Sequence, residues 1–205
     1  MKKAFIIDLD NTIYAVKSIG DKLFASLFNL IEKSNPGINP DDLQKAKEEI
    51  MRRPFQKVAE KFGFGEELTV KGIDLLKNLT YDDKMEPFED YSAIKNLPGD
   101  KFLVTTGFKK LQESKIKNLG IADDFKEKFI VDPETTEKTK KDIFAEILEK
   151  NRLQPNEVLV VGDDPESEIA AAKELGIETF LLDRENRYPS DAADHKSQSL
   201  EDIPV

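Results

Sequence analysis

Two carboxylates stand two residues apart in Asp8-Leu9-Asp10-Asn11-Thr12, directly behind the apolar run at 3–8, KAFIID. Acids this close repel each other unless one keeps a proton or a cation lies between them. A divalent metal with oxygen ligands suits the pair, and Mg²⁺ is the usual choice when a phosphate is the other partner. Further along, Thr105-Thr106-Gly107 ends a second apolar run, offering hydroxyls and backbone N–H groups to an anionic oxygen. A lysine-rich stretch, EKTKKDIF at 137–144, opens a helical pattern. Gly162-Asp163-Asp164-Pro165 closes another apolar run with two more acids, and Asp163 is a candidate for a remaining metal ligand. Each group taken alone also reads as ordinary local chemistry: a polar turn, a Thr or Asp cap, or a solvated basic face.

Elements of one type must hold these groups. Five near-continuous apolar runs, at 3–8, 101–105, 128–132, 158–162 and 178–183, read as strands covered on both faces, hence a parallel sheet. Helical patterns at 108–119, 140–150 and 165–175 alternate with the later strands, and Gly120 and Gly176 act as stop signals. Strand–helix alternation with right-handed crossovers gives an α/β, doubly wound, Rossmann-like sheet. Its strand ends are where ligands bind in such folds. The stretch 15–87 breaks the pattern. It has no clear strand, helical segments at 19–31, 41–51, 55–62 and 68–79, and a polar return at 81–87. The expected organisation is a core of 1–14 and 88–205 with an all-helical cap, 15–87, inserted into it.

Composition narrows the chemistry. The 205 residues include no cysteine, which excludes disulfides, thiolate nucleophiles and zinc–sulfur sites. One histidine, His195, lies in the polar segment AADHKSQS and reads as a solvated surface residue. The net charge of −10 argues against a nucleic-acid partner. No run is long and apolar enough for a membrane span. Asp8 and Asp10 interrupt the start of the chain before it can act as a signal peptide. A cytoplasmic address is expected, and oligomeric state is left open.

Together the four groups resemble the motifs of the haloacid dehalogenase superfamily of hydrolases, in order. IIDLDNT matches its strand followed by DxDxT, and FLVTTG matches its strand ending in Ser or Thr. KTKKDIF matches its lysine segment, and VLVVGDDPESE matches its strand followed by Gly-Asp and further acid. The resemblance spans essentially the whole chain and implies the subgroup whose helical cap lies between motifs one and two. It implies that Asp8 is a nucleophile forming an aspartyl-phosphate and that Asp10 is the general acid/base. It implies Mg²⁺ held by Asp8, by Asp10 through its backbone carbonyl, and by Asp163. Thr105 and Lys138 would bind phosphoryl oxygens.

Several assignments stay open at this level. Thr106 competes with Thr105. Lys140 and Lys141 lie beside Lys138, which matches best by its distance to Phe144. Asp164 adjoins Asp163, and Glu168 stands where relatives often carry Asp. Asp10 favours phosphate chemistry, because dehalogenases and phosphonate-cleaving relatives lack that second Asp. The expected activity is Mg²⁺-dependent hydrolysis of a small phosphorylated metabolite. The alternatives are a phosphomutase, such as one acting on a sugar phosphate, and a catalytically silent binding or regulatory module. Arg52 and Arg53 in the cap read either as a solvated helix end or as contacts for a second anionic group on a substrate.

Overall fold

A computed structural model describes residues 1–34 and 37–205. Six strands form one parallel sheet in the order β3-β2-β1-β4-β5-β6. They are β1 (Ala4–Ile7), β2 (Asp100–Thr106), β3 (Glu127–Val131), β4 (Val158–Gly162), β5 (Glu178–Leu182) and β6 (His195–Ser197). The alternation of side chains along β1 explains its unbroken apolar sequence. Phe5 and Ile7 enter one buried cluster, and Ala4 and Ile6 enter another on the opposite face.

Among the described residues, five helices follow β1 within 15–87: α1 (Lys17–Leu23), α2 (Ala25–Ser34), α3 (Pro40–Ile50), α4 (Phe55–Phe62) and α5 (Glu66–Lys77). Local signals set their ends. Asn39 caps α3 by accepting from the Asp42 N–H at 2.9 Å, with Pro40 in the first turn, and α4 stops at Gly63 in the left-handed conformation. Their apolar faces do not form a core apart from the sheet. Leu27, Ile31, Phe55 and Val58 share one buried cluster with Phe5, Ile7 and Leu103. The single helix expected over 19–31 is two, broken at Phe24, whose backbone leaves the helical region at φ −95 and ψ 7.

The later helices are α6 (Ser92–Lys95), α7 (Lys109–Leu119), α8 (Lys140–Asn151) and α9 (Ala170–Glu174), the last preceded by a π turn, Pro165–Ile169. The expected helix at 165–175 is therefore wider in its first turn than periodicity suggests. Strand β6 was also not expected from periodicity. It is half-buried, and its His195 ring meets the Glu178 carboxylate at 2.6 Å instead of standing free in solvent. Among the described residues, no helix is long and apolar enough to cross a membrane.

Candidate active site

Strand order reverses around β1. The chain runs outward from β1 to β2 and β3, then returns to place β4 on the other side. This switch point opens a crevice at the carboxyl ends of β1 and β4. Asp8 is the first residue after β1, and Asp163 is the first after β4. The Asp8 N–H donates to the Val161 carbonyl at 3.0 Å, which keeps the two strand ends in register.

The lysine that reaches Asp8 is Lys140, not Lys138. Lys140 Nζ is 2.6 Å from Asp8 Oδ1 and 2.7 Å from Glu168 Oε2, and all three residues are buried. Lys138 lies outside helix α8, with its side chain 52% exposed and paired to Glu146 at 2.5 Å. Lys141 faces solvent and pairs with Glu174. The cause is the helix start. Thr139 caps α8 through a reciprocal capping box with Asp142, so 138 precedes the helix and 140 is its first residue. From there Lys140 lies on the face of Ile143, Phe144 and Ile147.

The other ambiguities resolve in the same way. Asp163 turns into the crevice, while Asp164 caps the following turn by accepting from the Glu166 N–H at 2.8 Å. Glu168 folds back over the strand end and accepts from the Asp164 N–H at 2.8 Å. Only a glycine permits this. A Cβ on Gly162 would lie 2.2 Å from Glu168 Cγ and Oε1. Thr105 is buried and Thr106, next along the strand, points to the other face. The Gly107 N–H is spent on the Val131 carbonyl at 3.1 Å, so it is not open to a ligand.

Carboxylate oxygens of Asp8, Asp163 and Glu168 lie within 4.8 Å of one another. Burial pushes the Asp8 carboxyl up to about 7, against the attraction of Lys140 and with the repulsion of Glu168. Burial also raises Asp163, joined by repulsion from Glu168 and Asp8. Burial works to raise Glu168 as well, but Lys140 outweighs it and holds this carboxyl below its ordinary value. Three acids thus face two cations, because Arg52 reaches in from the end of α3, its Nη2 2.9 Å from Asp163 Oδ2. Arg53 pairs with Glu166 at 2.9 Å. Arg52 and Arg53 dock onto the turn after β4; they do not form a solvated helix end.

Asp10 does not join this cluster. Its carboxylate points to α7, where Lys115 Nζ is 2.8 Å from Oδ1 and Gln112 Nε2 is 2.9 Å from Oδ2. The Tyr14 hydroxyl donates to Oδ1 as well. Burial would raise this carboxyl, but Lys115, Tyr14 and Gln112 together hold it below its usual value. Gln112 Nε2 also donates to Thr105 Oγ1 at 2.6 Å, tying the end of β2 to the loop after β1. Tyr14, Gln112, Lys115 and Arg52 are the site residues that sequence reasoning did not assign. A signal existed for Lys115: it stands midway between Leu111 and Leu119 on the buried face of α7.

A family model described as haloacid dehalogenase-like hydrolase matches residues 2–176. The chain belongs to that family. Solved structures agree on the fold of this haloacid dehalogenase-like hydrolase. The magnesium-bound HAD-hydrolase YfnB from Bacillus subtilis superposes with a TM-score of 0.67 at 18% identity, covering 98% of this chain and 96% of that one. A HAD phosphatase from Thermococcus onnurineus gives 0.62 at 20%, covering 98% and 94%. L-2-haloacid dehalogenase from Xanthobacter autotrophicus gives 0.63 at 18%, covering 100% and 97%. A comparison with curated proteins gives no match.

The residues of the hydrolase fit a hard divalent cation. The cluster is made of carboxylate oxygens only, the donor type that Mg²⁺ takes. Its buried acids outnumber the cations beside them, and Asp8 and Asp163 both resist ionisation as they stand. A bound dication would correct both conditions. Relative to the expected ligand set, the carboxylates that converge are Asp8, Asp163 and Glu168. The Asp10 carboxylate is engaged by α7 and Tyr14, and the expected contribution of Asp10 to the metal is its backbone carbonyl, not these oxygens.

Proposed function

We propose that the chain is a Mg²⁺-dependent phosphatase that hydrolyses a small phosphorylated metabolite through an aspartyl-phosphate on Asp8. One observation carries the reading: a second carboxylate, Asp10, is built in beside the nucleophile and held there by three side chains. A halide leaves as a weak base and needs no proton, so a dehalogenase has no use for a general acid at the leaving group. An alkoxide leaving from a phosphate ester does need a proton, and general acid catalysis supplies it.

The chain's own residues divide the task. Asp8 attacks phosphorus in line, and its oxygen becomes the acyl oxygen of the intermediate. Lys140, already on Asp8, draws negative charge off the attacking and phosphoryl oxygens. Thr105 accepts from Gln112, which leaves its own hydroxyl proton to donate to a phosphoryl oxygen. Asp10 takes a proton from the water that cleaves the acyl-phosphate and returns that proton to the leaving oxygen of the next turnover. Asp8 and Asp163, with Glu168 behind them, would hold Mg²⁺, which supplies charge cancellation on the transferring group. The helices at 15–87 act as the cap, and Arg52 is the cap residue that touches the centre.

Phosphate release from p-nitrophenyl phosphate tests this. The expected result is turnover with Mg²⁺, none in excess chelator, poor support by Ca²⁺, and loss of turnover in Asp8→Asn with the fold retained. Ca²⁺ takes more ligands at longer range and would draw both Asp8 oxygens away from phosphorus. Undiminished turnover in chelator, or halide release from a 2-haloacid without phosphate release, would overturn it.

A further inference from the structure

Among the described residues, Asp163 has one cationic partner, and it comes from the cap. Lys140 is shared by Asp8 and Glu168. Asp163 is met instead by Arg52, whose Nη2 lies 2.9 Å from its Oδ2 across 111 residues of chain. Arg53 adds a second tie, to Glu166 on the same turn. The segment that carries both arginines is wedged on either side. Met51 packs against Gly20 of α1, where a Cβ would lie 2.9 Å from its Sδ, and Phe55 packs against Gly72 of α5, where a Cβ would lie 2.3 Å from its ring. A change at the arginines is therefore passed to the cap helices instead of being absorbed by a loose loop. The other side of the cap is fastened differently. Lys110 of α7 donates to Asn78 at 2.9 Å, the Tyr81 N–H donates to Ser114 Oγ at 2.9 Å, and Asn118 donates to the Tyr81 carbonyl. None of these residues belongs to the acidic cluster.

We propose that Arg52 and Arg53 form a latch between cap and core that competes with a divalent cation for Asp163, so that binding the cation releases this side of the cap. The proposal goes beyond the phosphatase reading and needs only the cation site, not the reaction. A dication held by Asp163 would share that carboxylate with a guanidinium. The two positive charges repel strongly at such range in a site shielded from water, and the dication is the larger local charge. Arg53 and Glu166 do not hold the cap by themselves, because their side chains are 42% and 72% exposed and pairs of that kind contribute little. The α7 side takes no part in the exchange and stays fastened, so the cap pivots about it. The coupling is reciprocal: the cation weakens the latch by the same factor as the latch weakens the cation. The consequence is an order of events in which the crevice opens to substrate once its metal is seated.

Spin-label distance measurements test the latch without any turnover. The chain has no cysteine, so Lys57→Cys on α4 and Asp191→Cys in the loop between β5 and β6 carry the two labels alone. Both positions are exposed and lie outside the acidic cluster. Saturating Mg²⁺ should move the label distance, relative to its value in chelator, by more than ~2 Å, the scale of a domain rearrangement. The Arg52→Ala variant should show in chelator the distance that the chain with Arg52 shows in Mg²⁺, and adding Mg²⁺ should move it no further. A distance that is the same in chelator and in Mg²⁺ when Arg52 is present, or an Mg²⁺ shift that survives undiminished in Arg52→Ala, would overturn the proposal. Should Arg52→Ala not fold, Arg52→Gln decides by the same comparison, since it keeps an aliphatic stem on the turn. Calorimetry of Mg²⁺ binding separates the latch from the site it depends on. Binding without movement refutes the latch alone, whereas no binding removes the cation site, and the latch and the Mg²⁺-dependent reaction with it.

Discussion

Asp8→Asn should stabilise the metal-free protein, by an amount that depends on pH. The Asp8 carboxyl sits at about 7 in the fold against an ordinary 3.8. Below pH ~4 it is protonated in both folded and unfolded chains and costs nothing. Between ~4 and ~7 the unfolded chain ionises it and the folded chain does not, so stability falls as pH rises. Above ~7 the loss levels off. The interval from 3.8 to about 7, at ~1.36 kcal/mol per decade, corresponds to about 4 kcal/mol. Asparagine carries no such burden, and Lys140 keeps Glu168 as its partner in the variant. In a 205-residue chain, ~2–4 °C per kcal/mol turns this into a difference on the order of ten degrees. Thermal unfolding of both proteins in chelator, from pH 4 to 8, reads it directly. The variant's advantage should be near zero at pH 4 and grow until about pH 7. Saturating Mg²⁺ should then close it, because only the natural chain gains fully from metal binding. A gap that is flat with pH, or that narrows toward pH 8, would refute the account of Asp8 as a buried, crowded acid.

Two further outcomes test the site. Lys140→Ala should lower turnover by ~100- to 1000-fold, as expected for removing one preorganised charge-stabilising donor, whereas Lys138→Ala should change it less than about threefold because a screened surface charge contributes little; equal rates for the two variants would contradict the α8 register. Arg52→Ala should tighten Mg²⁺ binding measured by calorimetry several-fold, since the guanidinium and the metal compete for Asp163, and weaker binding would show that Arg52 shapes the metal site instead of opposing it.

The strands and the four motif positions were legible because burial on both faces leaves unbroken apolar runs, and β1, β2 and β4 show them plainly. The site was legible in residue type more than in register. Lys138 matched by its distance to Phe144, yet Thr139 and Asp142 spell a capping box that starts the helix at Lys140, two residues later. Counting back three and four residues from Ile143 and Phe144 on that helix gives Lys140. Arg52 and Gln112 could not be found this way. Their roles depend on contacts across 111 and 102 residues of chain, Arg52 to Asp163 and Gln112 to Asp10, which no local pattern encodes. Strand β6 was hidden because it is short, half-buried and polar, and so lacks the apolar run that marked the others.

The fold-back of Glu168 over Gly162 ties two positions six places apart into one heritable unit. The glutamate is long enough to lie across the strand end, meet Lys140 and still accept from the Asp164 N–H, and the wide turn at Pro165–Ile169 delivers it there. An aspartate at 168 would fall a methylene short unless that turn tightened. A side chain at 162 would occupy the space the glutamate needs. A side chain at 162 therefore requires a shorter residue at 168 and another anchor for Lys140, whereas a shorter acid at 168 leaves the glycine compatible. Where relatives of this chain are aligned, those without glycine at 162 should accordingly lack glutamate at 168.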